Sequence, residues 1–215
     1  MTAATFVIAF LTPPLSGPLC TGGCFEYPYT DVVSRFPRDY FWMFPAIFLF
    51  MIYIILMACI HHAAASDKKM YSLAGLSFAV MAAVILITDY FVQLSVIQPS
   101  LLKGETEGIA LWSQYNPHGI FIAMEEIGYL IICVSLLFIA PVFNGTGRMH
   151  RLLRIVPVAG FLMAIGALIF ISVRMGVMRE YIFEISIISI VFLELLIEAS
   201  LLSRVFYSNS LKNVE

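Results

Sequence analysis

Charge is scarce in this chain. Only 12% of its 215 residues are Asp, Glu, Lys or Arg, about half the roughly 25% of a soluble domain, and that excludes an ordinary soluble fold. Twelve basic against 14 acidic residues leave a formal net charge of −2, so nothing marks a nucleic-acid partner. Cysteine is too thin for a disulfide scaffold, with four in all. Cys59 and Cys133 sit in apolar runs as packing residues, whereas Cys20 and Cys24 lie in a polar segment and form a candidate disulfide if that segment faces an oxidising compartment. Two cysteines make a poor metal site, and His61, His62 and His150 have no diagnostic spacing, so no metal and no cofactor is expected. Lysine is missing from the middle of every apolar run, which disfavours a retinal protein. A nucleophile elbow, a phosphate loop and a paired-histidine metal motif are missing too.

Apolar sequence is what the chain has instead: 61% of it is hydrophobic, and its mean hydropathy is +0.94. The expected fold is an all-α integral membrane protein, a bundle of five transmembrane helices over about 40–60, 73–97, 117–143, 156–173 and 181–202, each close to the roughly 20 residues that cross a hydrocarbon core. Residues 1–39 read as an N-terminal interfacial segment followed by a small extramembrane cap. The apolar run from Ala3 to Leu11 is too short to span. With no basic residue before it and no small-x-small site after it, it is not a signal peptide but a sixth short or re-entrant segment, an interfacial one, or a short helix packed on the bundle. Phe25, Tyr27, Tyr29 and Phe36 argue for an ordered cap, and Tyr40 and Trp42 for an aromatic belt at the first span. Residues 101–113 suit an amphipathic surface helix, residues 148–154 a basic loop, and residues 203–215 a polar cytoplasmic tail.

Orientation follows from Lys and Arg. Lys68, Lys69, Arg148, Arg151, Arg154, Arg204 and Lys212 fall on one side of a five-span bundle, against Lys103, Arg174 and Arg179 in the opposite loops and Arg35 and Arg38 in the long N-terminal cap. That bias puts the N-terminus outside and the C-terminus in the cytoplasm, for a multi-pass protein of the cell (plasma) membrane.

The stretch most informative about function is 114–129, QYNPHGIFIAMEEIGY. Asn116 can cap a helix and Pro117 is pre-set for its first position, which puts Glu125 and Glu126 about eight residues, or roughly 12 Å, into the third span. His118 would then share the face of Glu125. Asp89 and Gln93 lie one turn apart on the preceding span, at a matching depth. Acidic residues inside a span cost about 2.5 to 3.5 kcal/mol each, so by default they face a site. Asp89, Gln93, His118, Glu125, Glu126 and Tyr129 are therefore the candidate ligand- or proton-binding residues. Glu126 points about 100° away from Glu125, so the two cannot both line one pocket fully. Close carboxylates cannot all ionise in a low dielectric, so the cluster is expected to hold one or more protons. Each of these groups also has a structural reading, as a hydrogen-bond partner or a packed side chain. Glu194 and Glu198, one turn apart in the last span, form a second polar site or pair structurally with His61, His62, Arg151 or Arg154.

Three functions fit these residues: a carrier, channel or sensor that takes protons or a small cationic or amphiphilic ligand; a membrane enzyme using carboxylate and histidine acid–base chemistry on a lipid or isoprenoid-like substrate; and a non-catalytic accessory subunit. The first is favoured. Membrane lipids are the expected partners, and a path through five short spans would call for a homo-oligomer.

Overall fold

The computed structural model describes residues 2–12 and 14–212, with Phe10, Glu180 and 207–212 described by their backbone alone. Met1, Pro13 and 213–215, which fall in the expected N-terminal segment, cap and tail, lie outside the described residues. Every regular element among the described residues is helical. The long elements are α2 (Met43–Ala63), α3 (Lys69–Val92), α6 (Ile120–Ile139), α7 (Arg148–Met175) and α8 (Glu180–Lys212); the short ones are α1 (Thr2–Phe10), α4 (Gln98–Leu102) and α5 (Ile109–Trp112). Five helices are long and apolar enough to cross a membrane: Arg38–Ala63, Ser66–Leu102, Ile120–Val142, Arg148–Met175 and Tyr181–Phe206.

α6 is the central helix. It packs against α3, α7 and α8, while α2 covers α3, and α1 lies across α2 and α8. Small residues let the axes approach. A β-carbon on Gly75 would lie 2.6 Å from Ile139 and 3.1 Å from the Ser135 carbonyl, and one on Gly128 would lie 2.6 Å from Leu86. Hydrogen bonds reinforce the same seam: Tyr53 donates to Ser135 at 2.9 Å, and Ser135 donates to the Gly75 carbonyl at 2.7 Å. Small residues and interhelical hydroxyl bonds are how helices associate when apolar burial offers little. The outward faces are apolar, with Phe48, Ile55, Val84, Leu162, Phe170 and Leu193 all exposed at mid-helix.

Four boundaries differ from those read in the sequence. The third long helix begins at Ile120, not at Pro117. Asn116 is used in a turn: its Oδ1 accepts the His118 N–H at 3.0 Å and its Nδ2 donates to the Ala110 carbonyl at 2.8 Å. Gly119 then takes the cap position, and a side chain there would meet the Asn116 and Leu111 carbonyls at 2.9 and 3.0 Å. The expected surface helix over 101–113 shrinks to the four residues of α5, because Gly104 and Gly108, both at φ 75°, break the chain direction on either side of Glu105 and Glu107. Residues 148–154 are the first two turns of α7 and not a loop. Gly147 caps that helix, and Pro157 is carried inside it. α3 continues through a π turn, Gln93–Ile97, into α4, so the second span is longer than the predicted 73–97.

The segment before α2 is an ordered cap of short 3-10 turns. Cys20 and Cys24 are disulfide-bonded. Asp39, 1% exposed, anchors the cap: Arg38 donates to it at 2.6 Å, Arg35 pairs with it at 3.3 Å, and the Tyr115 hydroxyl donates to it at 3.2 Å. A buried carboxylate with two hydrogen-bond donors and a second ion pair is held far more firmly than an exposed pair. The cap is thereby tied to the loop that leads into α6. α1 is a short helix packed on the bundle, its Phe6 ring 5.3 Å from that of Phe192 on α8.

Candidate functional site

At the cap end, α1, α6, α8 and the cap enclose a cavity of about 420 Å³. Its walls are largely apolar and aromatic, with Phe6, Trp42, Phe121 and Phe192 among them. Two carboxyl groups reach it: Glu125, on the second turn of α6, and Glu184, on the second turn of α8. Starting α6 at Ile120 moves Glu125 to about 7.5 Å from the helix start at 1.5 Å per residue, nearer the cap than the 12 Å read in the sequence.

The two acids come from different helices and share the wall of one cavity. Two carboxylates close together in a low-dielectric wall repel each other, which disfavours ionising both at once. Tyr90, fully buried on α3, donates to Glu125 Oε1 at 2.6 Å, and its hydroxyl lies 2.9 Å from that of Tyr129. Tyr129, Tyr90 and Glu125, three side chains from two helices, thus form one hydrogen-bonded chain ending at the cavity that Glu184 also lines. One oxygen of Glu184, Oε2, is buried and has no hydrogen-bond partner among the described residues. Nor does an Arg or Lys among the described residues pair with either acid. Gln114, Tyr115 and Tyr181 add polar groups to the cap-side wall. Tyr181 is held by Ser16, 3.1 Å between hydroxyls. Burial, followed by the fields of Tyr40 and Asp39, pushes the Tyr115 hydroxyl well above its ordinary pKa, so it stays a neutral donor to Asp39.

The chain matches no protein-family model, no curated protein and no solved structure.

The residues singled out in the sequence are distributed as follows. Glu125 and Tyr129 line the cavity. Asp89 is fully buried and in electrostatic range of Glu125 and Glu184, but it is not among the residues that line the cavity. Both its oxygens lack hydrogen-bond partners among the described residues. Gln93 donates to the Trp112 carbonyl and ties the π turn to α5. His118 is exposed in the turn before α6, not on the face of Glu125, because the helix starts after it. Glu126 points away and pairs with Arg179 at 2.6 Å, fastening α6 to the turn before α8.

Glu194 and Glu198 lie lower on α8, 3% and 2% exposed. Among the described residues neither forms an ion pair with His61, His62, Arg151 or Arg154. Glu194 accepts a weak bond from the Cys133 thiol at 3.9 Å, and its carboxyl rests on Gly160, where a β-carbon would lie 2.6 Å from its Cδ. His61 bonds Ser72 at 2.9 Å instead. No group of three metal-ligating side chains occurs among the described residues.

Glu184 and Tyr90 were not among the site residues predicted from the sequence. The available signal for Glu184 was its depth: it sits one turn inside its helix at the cap end, level with Glu125. For Tyr90 it was adjacency to Asp89, because neighbouring residues on a helix point about 100° apart and only one of the two could face α6 directly.

Proposed function

We propose that this chain is a multi-pass integral membrane protein that binds a small cationic, amphiphilic molecule in its cap-side cavity, for transport or sensing. Integral membrane character is supported by the five apolar helices and their exposed mid-helix Phe, Ile, Leu and Val side chains, which in water would form patches far beyond those of a soluble monomer. The cap faces outward and the C-terminus lies in the cytoplasm of a cell whose plasma membrane holds the protein. Support comes from the basic end of the bundle, where Lys68, Lys69, Arg148, Arg151, Arg154 and Arg204 gather, while at the cap end Arg35, Arg38 and Arg179 are engaged with Asp39 and Glu126.

The observation that carries the ligand class is that Glu125 and Glu184, without a basic partner among the described residues, share the wall of an aromatic cavity. Acidic oxygen atoms beside aromatic faces attract cations, and the cavity volume lies within the range of small-molecule sites. An apolar body would occupy the space between α1 and α8, where Phe6, Ala9, Ile185 and Ile188 face one another.

The test is a thermal-unfolding assay on detergent-solubilised protein with benzyltrimethylammonium, which combines a permanent positive charge with an aromatic body. The reading expects a concentration-dependent rise in Tm in the wild type and little or none in Glu184→Gln. A rise of equal size in both would remove the acid pair from the ligand site, and lipid turnover lost in Glu125→Gln would favour the enzyme instead.

A further inference from the structure

We infer that the basic end of the bundle carries a binding site for an anionic phospholipid, with its phosphate held by Arg204 beside the start of α7 and an acyl chain laid along a groove on α8. The site lies at the opposite end from the cap-side cavity. It is independent of the cation reading and rests only on the membrane-spanning one.

The groove, of about 360 Å³, is lined by Leu196, Ile197, Ser200, Leu201 and Arg204. Leu196, Ser200 and Arg204 are four residues apart and share one face of α8, with Ile197 and Leu201 beside them. The stripe is about 12 Å long at 1.5 Å per residue, close to the ~15 Å of hydrocarbon in one leaflet. Below Arg204 it asks for an apolar occupant, because the hydroxyl of Ser200 is engaged by its own helix, donating to the Leu196 carbonyl at 2.8 Å. Arg204 is exposed and stands two residues from the end of the span Tyr181–Phe206, which puts the charged mouth of the groove at headgroup level.

α7 brings more charge of the same sign to that mouth. The two helices are joined by a short turn and pack antiparallel, with the Glu194 carboxyl resting on Gly160. Ten residues from this contact, toward the end of α8 and toward the start of α7, Arg204 comes level with His150 and within about one turn of Arg148, Arg151 and Arg154. Leu153 and Leu201, both buried, share a level in the same register. The three α7 arginines are exposed, and among the described residues no carboxylate pairs with them or with Arg204. Asp67 is taken by Lys68 at 3.6 Å, and Glu198 is buried six residues deeper on α8 with neither oxygen bonded. α7 also opens without a side-chain cap and without an acid in its first turn, so the positive end of its dipole adds to the arginines.

Unpaired guanidinium groups beside an apolar groove call for an amphiphile of the opposite sign. The Arg fork matches phosphate oxygens two at a time, and basic pockets between helices at a membrane surface take lipid headgroups. A zwitterionic headgroup would bring a quaternary ammonium into the same positive field, whereas a phosphatidylglycerol headgroup brings none. The site therefore selects net negative lipids.

Thermal unfolding of the full chain in non-ionic detergent, titrated with dioleoyl phosphatidylglycerol or dioleoyl phosphatidylcholine, tests this. The expected result is a rise in Tm that half-saturates at about tenfold less phosphatidylglycerol than phosphatidylcholine. Arg204→Gln should shift the phosphatidylglycerol curve toward that of phosphatidylcholine and leave the latter unchanged, which also shows that the variant is folded. Arg174→Gln, at the cap end, should keep the full preference. Glycerophosphoglycerol, the same headgroup without chains, should give no rise at these concentrations; a rise equal to that of the lipid would reveal a phosphate site without a chain groove and overturn the inference. Equal half-saturation by the two lipids in the wild type, no rise with either, or an unchanged preference in Arg204→Gln would overturn it as well, and none of these results bears on the cation cavity.

Discussion

Removing the Tyr90 hydroxyl is expected to cost several times more than removing the Tyr129 hydroxyl, although the two differ only in their place along one hydrogen-bonded chain. Tyr90 bridges: its hydroxyl holds Glu125 at 2.6 Å and Tyr129 at 2.9 Å. Tyr129→Phe deletes a single bond and leaves Tyr90 still satisfied by Glu125, so its cost should be near the average of about 0.6 kcal/mol for a hydrogen bond between membrane helices. Tyr90→Phe deletes both bonds and strands the Glu125 oxygen and the Tyr129 hydroxyl in a site where both side chains are essentially inaccessible. At about 1 to 3 kcal/mol per unsatisfied buried group, softened by the tyrosine's freedom to turn, the expected loss is about 2 to 3 kcal/mol. In the double variant the stranded Tyr129 hydroxyl is gone, so the two changes should be non-additive by about 1 kcal/mol, with the pair less harmful than the sum. Reversible unfolding of the detergent-solubilised protein in SDS, followed by far-UV circular dichroism, supplies all four free energies of the cycle. Equal costs for the two single variants, or strict additivity, would refute the bridging role of Tyr90.

Gly128→Ala brings a methyl to within 2.6 Å of Leu86 in the α3–α6 seam; overpacking of about 1 to 3 kcal/mol outweighs the gain of about 1 kcal/mol in helix propensity, and the same SDS assay should show net destabilisation that Leu86→Ala in the same chain partly relieves. Asp39→Asn removes a charge that pairs with Arg35 and Arg38 and accepts from Tyr115, so the cap should open to limited proteolysis within 20–40 while the helical signal stays intact. Arg179→Gln leaves Glu126 without its partner at 2.6 Å and should destabilise by about 1 kcal/mol or more, whereas Arg174, whose side chain lies over Phe170, should tolerate the same change; their melting curves decide it. For Tyr115 the sign is fixed by burial. Its folded hydroxyl titrates above the ordinary value of 10.0, so its stabilising contribution is full below that pH and is lost as pH rises beyond it. Tyr115→Phe should flatten the alkaline limb of a stability–pH curve, and an unchanged limb would mean the hydroxyl is not confined as described.

The helical bundle was legible because length and hydropathy alone specify it: α2, α6 and α8 lie over three of the predicted spans, and the exposed Phe and Ile faces follow from the same composition. Boundaries were harder where one residue can do two jobs. Asn116 can cap a helix or close an Asx turn, and only the Leu111 carbonyl crowding Gly119 shows why the helix waits until Ile120. Pro157 invites a helix start, yet α7 accommodates it in its third turn because Gly147 provides an earlier cap. The candidate site was legible as a kind of residue rather than as a set. Glu125 and Asp89 stand out as acids in apolar runs, but whether they share a cavity depends on helix rotation and on which helices touch. The contact of α6 with α8 joins Glu125 to Glu184 across 59 positions of sequence, and no periodicity carries that information. Glu126, adjacent to Glu125, faces the other way and is neutralised by Arg179, an outcome that helical geometry alone allows but does not select.

The central claim is that Glu125 and Glu184 confer cation selectivity on an otherwise apolar cavity. Comparing benzyltrimethylammonium with neopentylbenzene, its uncharged isostere, in wild type and Glu184→Gln measures that selectivity while the neutral compound reports whether the cavity itself survives. The account predicts at least a tenfold preference for the cation in the wild type, or about 1.4 kcal/mol, and a preference that disappears in the variant while neopentylbenzene binds both proteins alike. A cation preference of the same size in wild type and Glu184→Gln would contradict it.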